Sequence, residues 1–405
     1  MKTISIILLA IIIILSFIYG PGALRIYRIM HLYDEDKIAH NFINMSELFI
    51  ASESIKPSSK AKALPRSDNV FILPDSYQFE GKDQNLEEAL KYFKTDGLLI
   101  IKDNKVIFED YFNGNTSTSK HISWSVAKSF LSALVGIAVN DGLIEDINDP
   151  ITKYLPDFKG TGYDGIKIKN ILQMSSGVLF NEDYADPNSD INKFGRAVAA
   201  GTSFRDFAKT LTNHKEQGTY NHYVSIDSQM LGFLLIEVTG MPLREYLQKN
   251  IWEKIGMEDE AYYLSDNKDV DMALGGLNAT LRDYAKFGLL YLNNGKWGDE
   301  QVVPSAWVDA SHNMDAPHLQ PEAGDLSSNT WGYGYQWWIP GFPDTDYIAS
   351  GIYNQYIYID PLSRVVIAKT SSNYKFPQEK QFSKDSHVAI FRAIAAAVEA
   401  ANLDV

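Results

Sequence analysis

The chain has 405 residues, of which 45% are apolar, 22% are charged and none is cysteine. This composition excludes a disordered chain, a thiolate nucleophile and a cysteine-ligated metal site, and the length supports a core that needs no disulfide or metal to fold. The formal net charge of −14 argues against nucleic acid as a partner, because neutralising phosphates requires a basic face.

An uncharged run rich in Ile and Leu occupies residues 4–18, after the start Met1-Lys2-Thr3. It allows two interpretations. A cleaved signal peptide fits the positive start and the apolar core, although residues 17–23 lack an A-x-A cleavage pattern. An uncleaved anchor must cross about 30 Å of hydrocarbon at about 1.5 Å per residue, which the run just allows when it is extended from Ile4 through Leu24. Both interpretations predict export, with the rest of the chain either anchored at the membrane or released as a periplasmic or extracellular protein.

Residues 25–80 have the composition of an arm and linker, and residues 81–405 are predicted to form one domain. A hairpin is expected over residues 98–112, with its turn at Asp103-Asn104. Ser123 is expected to cap a helix over residues 125–140, which ends before Gly142. Hydrophobic periodicity predicts further helices over 191–211, 228–239, 243–254, 280–293 and 384–400, and strands over 346–350, 355–360 and 364–370.

Strands at both ends of this domain enclose a mostly helical middle. We therefore predict an α+β fold, in which residues of about 85–120 and 345–400 form one antiparallel sheet flanked by helices. Residues of about 121–340 form a mostly helical insertion.

Several common kinds of active site are missing from the sequence. It contains no H-E-x-x-H, no metal-spaced pair among its eight His, no G-x-S-x-G and no Gly-rich phosphate loop. We therefore expect neither a metal ion nor another cofactor.

The remaining chemistry is that of a serine activated by a lysine. The motif S-x-x-K places a hydroxyl and an amine on adjacent turns of one helix face. The amine accepts the serine proton only when it is neutral, and the reference pKa of lysine, about 10.4, then has to be lowered by burial or by a second cation. Ser125/Lys128 opens a long apolar helix that would bury the lysine; a helix start with a solvated lysine is the alternative. The motif is short, and the chain has four other copies: Ser59/Lys62, Ser117/Lys120, Ser265/Lys268 and Ser372/Lys375.

Two further segments carry groups that this chemistry uses. Tyr223-Val224-Ser225 precedes an apolar helix and can present a phenol that relays a proton to a leaving group; packing in the core is the alternative. Ala349-Ser350-Gly351-Ile352 lies on a predicted strand, where the backbone N–H after Gly351 can complete an oxyanion hole with that of Ser125. An ordinary strand with a glycine bulge is the alternative there.

In this order, the three elements resemble the serine β-lactamase and penicillin-recognising superfamily, in particular its class C-like branch. The subgroup of 6-aminohexanoate-dimer hydrolases and related carboxylesterases is the most similar, because its strand also has Gly-Ile in place of Lys-Thr-Gly and it carries an acidic-aromatic loop like residues 181–187. Other segments that resemble this branch lie between residues 85 and 400: Ser123-Trp124-Ser125-Val126-Ala127-Lys128-Ser129-Phe130, Leu172-Gln173-Met174-Ser175-Ser176-Gly177-Val178, Gly275-Gly276-Leu277, Arg282-Asp283 and Phe287-Gly288.

This resemblance implies a role for each matching residue. Ser125 is the nucleophile, Lys128 its base and Tyr223 the proton relay. The backbone amides of Ser125 and Ile352 form the oxyanion hole. The residues expected to contact the substrate are Tyr184, Ser225, Ser350 and Gly351.

Two departures from the family pattern shape the expected function. Ser225 stands where many relatives have Asn, and Ala349 stands where β-lactamases and peptidoglycan peptidases have Lys or His. Without that cation an anionic substrate loses a charge-assisted hydrogen bond. We therefore expect an esterase or amidase acting on a small ester or amide. The alternatives are penicillin-binding, β-lactamase or peptidoglycan-peptidase activity, and a non-catalytic, membrane-tethered binding module.

Overall fold

The computed structural model describes residues 24, 27–69, 71–341 and 345–401. The predicted signal or anchor run, residues 4–18, lies outside this part of the chain. Within it, no helix combines the length and the apolar character that crossing a bilayer would require.

The predicted antiparallel sheet is present and joins the two ends of the domain, which confirms the α+β fold class. In the described residues the strands are β1 Ser76–Phe79, β2 Lys82–Asn85, β3 Thr95–Lys102, β4 Lys105–Tyr111, β5 His121–Ile122, β6 Tyr262–Tyr263, β7 Leu277–Ala279, β8 Lys296–Trp297, β9 Glu300–Gln301, β10 Gly332–Tyr333, β11 Trp338–Ile339, β12 Tyr347–Gly351, β13 Gln355–Asp360 and β14 Val365–Ser371. The large sheet has seven strands in the order β10-β11-β12-β13-β14-β3-β4, and every neighbouring pair is antiparallel.

Helices cover the sheet and fill the middle of the chain. Those described are α1 Ile38–Phe42, α2 Leu86–Tyr92, α3 Ala127–Asn140, α4 Ile168–Leu172, α5 Asp190–Ala199, α6 Phe204–Lys209, α7 Ser225–Thr239, α8 Leu243–Leu247, α9 Leu281–Leu292, α10 Ser305–Ser311 and α11 Phe376–Ala400.

Strand β3 shows why the sheet residues form apolar runs instead of an alternating pattern. Leu98 and Ile100 point to one face, where they pack in a cluster with Phe391 and Ile394 of α11. Leu99 and Ile101 point to the other face and join the large core that includes the helical insertion. Both faces are buried, so each residue of this run is apolar.

The helix predicted over residues 125–140 begins later than expected. Ser125 lies in a single turn of 3-10 helix, Trp124–Val126, and α3 follows it. Trp124 has a φ of +44°, a left-handed conformation that a helix interior does not allow. Ser123 makes no side-chain capping hydrogen bond, so the predicted cap is wrong.

Other predicted helices differ at their ends. The helix expected over residues 191–211 is two helices, α5 and α6, which separate at Gly201 with a φ of +93°. The helix expected over residues 243–254 becomes a π-helical turn, Gln248–Trp252, after α8. The last helix begins at Phe376, earlier than the apolar periodicity indicated.

The segment predicted as an arm packs closely on the domain. Phe42, Met45 and Leu48 are buried in a third apolar cluster. The Phe42 ring meets the rings of Trp124 and Tyr353 edge-on, with centroids 5.6 Å and 5.3 Å apart. The arm therefore supports the residues on either side of the predicted oxyanion hole.

Candidate active site

Ser125 and Lys128 form the hydrogen bond that their spacing predicts. The Nζ atom of Lys128 lies 3.1 Å from Ser125 Oγ and 3.3 Å from Ser225 Oγ, and it also donates to the carbonyl oxygen of Leu274. Ser125 lies in the 3-10 turn and Lys128 in the first turn of α3, so one continuous helical segment carries both groups.

The surroundings of Lys128 favour its neutral form. Lys128 is only 1% exposed and is one of the buried residues of α3. Burial lowers the pKa of Lys128 to about 7, and the nearby Glu182 carboxylate opposes part of that shift. Near neutral pH the amine can therefore accept a proton.

Tyr223 completes the set of three predicted catalytic residues. It lies in the loop just before α7, and its hydroxyl lies beside the Ser125 side chain at the wall of the same cavity. Lys128 Nζ lies 5.3 Å from the centroid of the Tyr223 ring. Burial is the main reason that the pKa of Tyr223 is raised, and the Glu182 charge adds to it, so the phenol keeps its proton.

The segment Leu172–Val178 forms hydrogen bonds with the residues on both sides of Tyr223. The backbone N–H of His222 donates to the carbonyl of Met174, and that of Val224 donates to the Met174 sulfur, at 2.9 Å and 3.4 Å. The Asn221 amide donates to the carbonyl of Gln173 at 2.9 Å. This segment therefore fixes the backbone around the tyrosine.

Strand β12 lies against the turn that carries Ser125. At Gly351 a Cβ atom would lie 2.5 Å from the carbonyl oxygen of Ser123 and 3.2 Å from the backbone nitrogen of Ser125. Only glycine allows this close approach. Ile352 follows directly and lines the same cavity as Ser125.

A cavity of about 230 Å³ opens beside Ser125. Of the predicted substrate contacts, Tyr184, Ser350 and Gly351 line it. Ser225 does not: it is fully buried beneath the cavity, where its hydroxyl is bonded within the protein. Its short side chain already has two partners, Lys128 and Glu182, away from the cavity.

The sequence analysis missed Glu182, a buried carboxylate at the centre of the site. It accepts hydrogen bonds from the Tyr184 hydroxyl at 2.7 Å, from the Ser225 backbone N–H at 3.0 Å and from the Ser225 hydroxyl. The acidic-aromatic loop of residues 181–187 was the available signal. Its sequence contains three acidic residues and does not indicate which of them turns inward.

Lys384 is the second residue that was missed. It belongs to α11, lines the cavity, and places its Nζ 4.1 Å from the ring centroids of both Trp331 and Trp338. Burial lowers the pKa of Lys384 to about 7. The sequence placed Ala349 at the position of the family's cation; in the structure Ala349 is buried in the core, and a cation reaches the cavity from a different element.

Comparison with known proteins agrees with this geometry. The chain is 29% identical to "6-aminohexanoate-dimer hydrolase" of Paenarthrobacter ureafaciens, over 78% of this chain and 80% of that protein. It is 26% identical to "Putative D-alanyl-D-alanine carboxypeptidase" of Escherichia coli. That match covers 46% of this chain and 48% of that protein. The solved structure "Putative 6-aminohexanoate-dimer hydrolase from Bacillus anthracis" superposes with a TM-score of 0.79 at 25% identity, over 89% of this chain and 95% of that one.

The family model described as "Beta-lactamase" matches residues 83–388, the range that contains the sheet, the helical insertion and every residue of the site. The chain is therefore a serine hydrolase that belongs to the Beta-lactamase family.

Proposed function

We propose that the protein hydrolyses a small ester or amide through an acyl-enzyme, with Ser125 as nucleophile, Lys128 as general base and Tyr223 as proton relay. One observation carries the proposal: a buried lysine amine lies 3.1 Å from a serine hydroxyl, and a tyrosine that lines the same cavity lies beside that serine. Such a nucleophile, base and relay within hydrogen-bond reach is the arrangement that covalent acyl transfer requires.

In the first half-reaction, the Ser125 oxygen attacks the substrate carbonyl carbon while its proton passes to Lys128. The carbonyl electron pair moves onto its oxygen, which the backbone amides of Ser125 and Ile352 stabilise. The carbon–leaving-group bond then breaks, and the leaving group takes a proton through Tyr223. In the second half-reaction, water gives a proton to Lys128 while its oxygen adds to the acyl carbon. The bond between that carbon and the Ser125 oxygen then breaks, Ser125 takes the proton, and the acid product leaves.

Stopped-flow hydrolysis of a p-nitrophenyl ester tests this mechanism. We expect a burst of nitrophenolate equivalent to the enzyme, and we expect Ser125→Ala to reduce kcat by about 10⁴-fold or more. Ser117→Ala, in a surface copy of the same motif, is the matched control and should keep full activity. Full activity in Ser125→Ala would contradict the assignment.

The amide class is supported by the relative from Paenarthrobacter ureafaciens, whose name identifies a dimer hydrolase. Peptidoglycan-type chemistry is the second candidate, supported by the carboxypeptidase relative and by the cation that Lys384 brings to the cavity. Labelling with a fluorescent penicillin separates the two. Stable labelling that Ser125→Ala abolishes favours the second candidate, and rapid turnover of linear esters and amides without labelling favours the first.

We also propose that residues 4–18 direct export and hold or release the domain outside the cytoplasm. The support is their uncharged apolar composition after Lys2. Expression of the full chain in a bacterial host, followed by fractionation and N-terminal sequencing, tests this. Recovery of the intact chain from the cytoplasm would contradict export.

A further inference from the structure

Glu182 has an unusual position for a carboxylate. Its side chain is 8% exposed, and it lies between the cavity and the first turn of α7. Each of its three hydrogen-bond partners is a donor: the hydroxyl of Tyr184, and both the backbone N–H and the hydroxyl of Ser225. Since the carboxylate acts only as an acceptor, the Ser225 hydroxyl proton points toward Glu182.

The direction of that proton determines what the Lys128 amine can do. A neutral amine has two N–H donors and one lone pair, and Lys128 has three oxygen neighbours. The Leu274 carbonyl can only accept, so it takes one N–H. The Ser225 oxygen, having given its own proton to Glu182, accepts the second N–H at 3.3 Å. The lone pair then faces the third neighbour, the Ser125 hydroxyl at 3.1 Å.

Without Glu182 this arrangement of hydrogen bonds around the Lys128 amine is lost. The Ser225 hydroxyl could rotate and donate to the Lys128 lone pair, and it would then compete with Ser125 for the base. We propose that Glu182 is a positioning residue that, through the Ser225 hydroxyl, directs the lone pair of Lys128 to Ser125. This inference depends on the proposed Ser125–Lys128 chemistry.

Proton transfer strengthens the same set of contacts. When the Ser125 proton moves to Lys128 and the serine electron pair bonds to the substrate carbon, the ammonium has three N–H donors for its three oxygen neighbours. The Glu182 charge, one hydroxyl away, stabilises the new positive charge. The Glu182 charge also contributes to the raised pKa of other nearby groups: Tyr163, Tyr184, Tyr223, Asp227 and Tyr333.

Two variants and a pH profile test the proposal. Glu182→Gln has nearly the same size but lacks the charge. We expect its kcat to fall about tenfold, and the acid limb of kcat/KM to move to lower pH, because the negative charge that raises the pKa of Lys128 is gone. Ser225→Ala removes the hydroxyl and keeps the charge, so kcat should fall by a similar factor while the acid limb moves much less.

The matched control is Asp183→Asn, an exposed carboxylate on the same loop whose side-chain oxygen accepts from the backbone of Ala185. Asparagine keeps that acceptor, so kcat and the pH profile should match those of the unaltered protein. Burst amplitude reports the fraction of competent enzyme in each variant. An unaltered kcat and acid limb in Glu182→Gln, with Ser125→Ala inactive, would overturn this inference and leave the proposed function standing. Full activity in Ser125→Ala would overturn both.

Discussion

The ring of Trp338 stacks on the ring of Tyr223, with centroids 5.3 Å apart and planes inclined by 22°. Trp338 belongs to the short strand β11, so the large sheet itself supports the predicted proton relay. Lys384 Nζ lies over Trp338, while Lys128 Nζ lies over Tyr223. The position of the Tyr223 hydroxyl therefore depends on the aromatic residues of β11 as well as on its own loop.

Replacing Trp338 should consequently affect the catalytic rate more than the stability of the fold. Aromatic pairs contribute about 0.5–1.5 kcal/mol beyond the area they bury, so we expect Trp338→Leu to lower kcat about threefold to tenfold. Trp338→Phe keeps a ring and should recover most of that loss. Trp297→Leu, a half-buried tryptophan on β8 away from the cavity, is the control. Equal kcat losses in the Leu and Phe variants of Trp338 would contradict a stacking role.

Activity should rise with pH through the neutral range. Burial lowers the pKa of Lys128 to about 7, so the neutral amine that serves as base becomes populated above that pH. With a neutral p-nitrophenyl ester, kcat/KM should climb as pH passes about 7 and then level off. Initial rates from about pH 5 to about pH 9 provide the measurement. A rate that falls across this window would indicate that the ammonium form is the active one.

Local patterns predicted those parts of the fold and site that depend on local spacing. Apolar runs predicted β13 and β14 to within one residue at each end and located β3, which begins three residues before its predicted start, because both faces of the sheet are covered. The three-residue separation of Ser125 and Lys128 on a helical segment predicted their contact.

The rest depends on packing between distant segments. Glu182 meets Ser225 from a loop 43 residues earlier, and nothing in the intervening sequence indicates that this acid turns inward. Lys384 falls at the start of the predicted last helix, but nothing in the sequence indicates that this part of α11 lines the cavity. Trp124 has a left-handed conformation and packs against Phe42 and Tyr353, neither of which a helical pattern reveals.

Gly288 shows how closely α9 approaches the sheet. A Cβ atom there would lie 2.6 Å from Val366 Cγ1 and 2.7 Å from Ile357 Cγ2. Gly288→Ala should therefore lower the free energy of unfolding by about 1–3 kcal/mol through overpacking, as measured by urea denaturation. Gly195 offers the matched control: it lies exposed within α5, and a Cβ there has no neighbour within 4 Å. Gly195→Ala should raise stability by about 0.5–1 kcal/mol, and destabilisation of both variants to the same extent would contradict the packing argument.

Lys384 makes a prediction about which esters the cavity prefers. Its amine lies beside two tryptophan rings at the cavity wall and is charged below its pKa of about 7. In that form it can pair with a carboxylate on the substrate. We expect Lys384→Met to lower kcat/KM about tenfold for a p-nitrophenyl ester whose acyl chain ends in a carboxylate, and to change it little for a neutral ester of equal length. In the unaltered protein the ratio of the two kcat/KM values should fall as pH rises through about 7, and the titration of Lys128 cancels from this ratio.

Lys375→Met, at the start of the same helix, should leave the ratio unchanged because that lysine lies over Tyr92, away from the cavity. An equal loss for both esters in Lys384→Met would assign the lysine to support of the tryptophans, not to recognition of an anion.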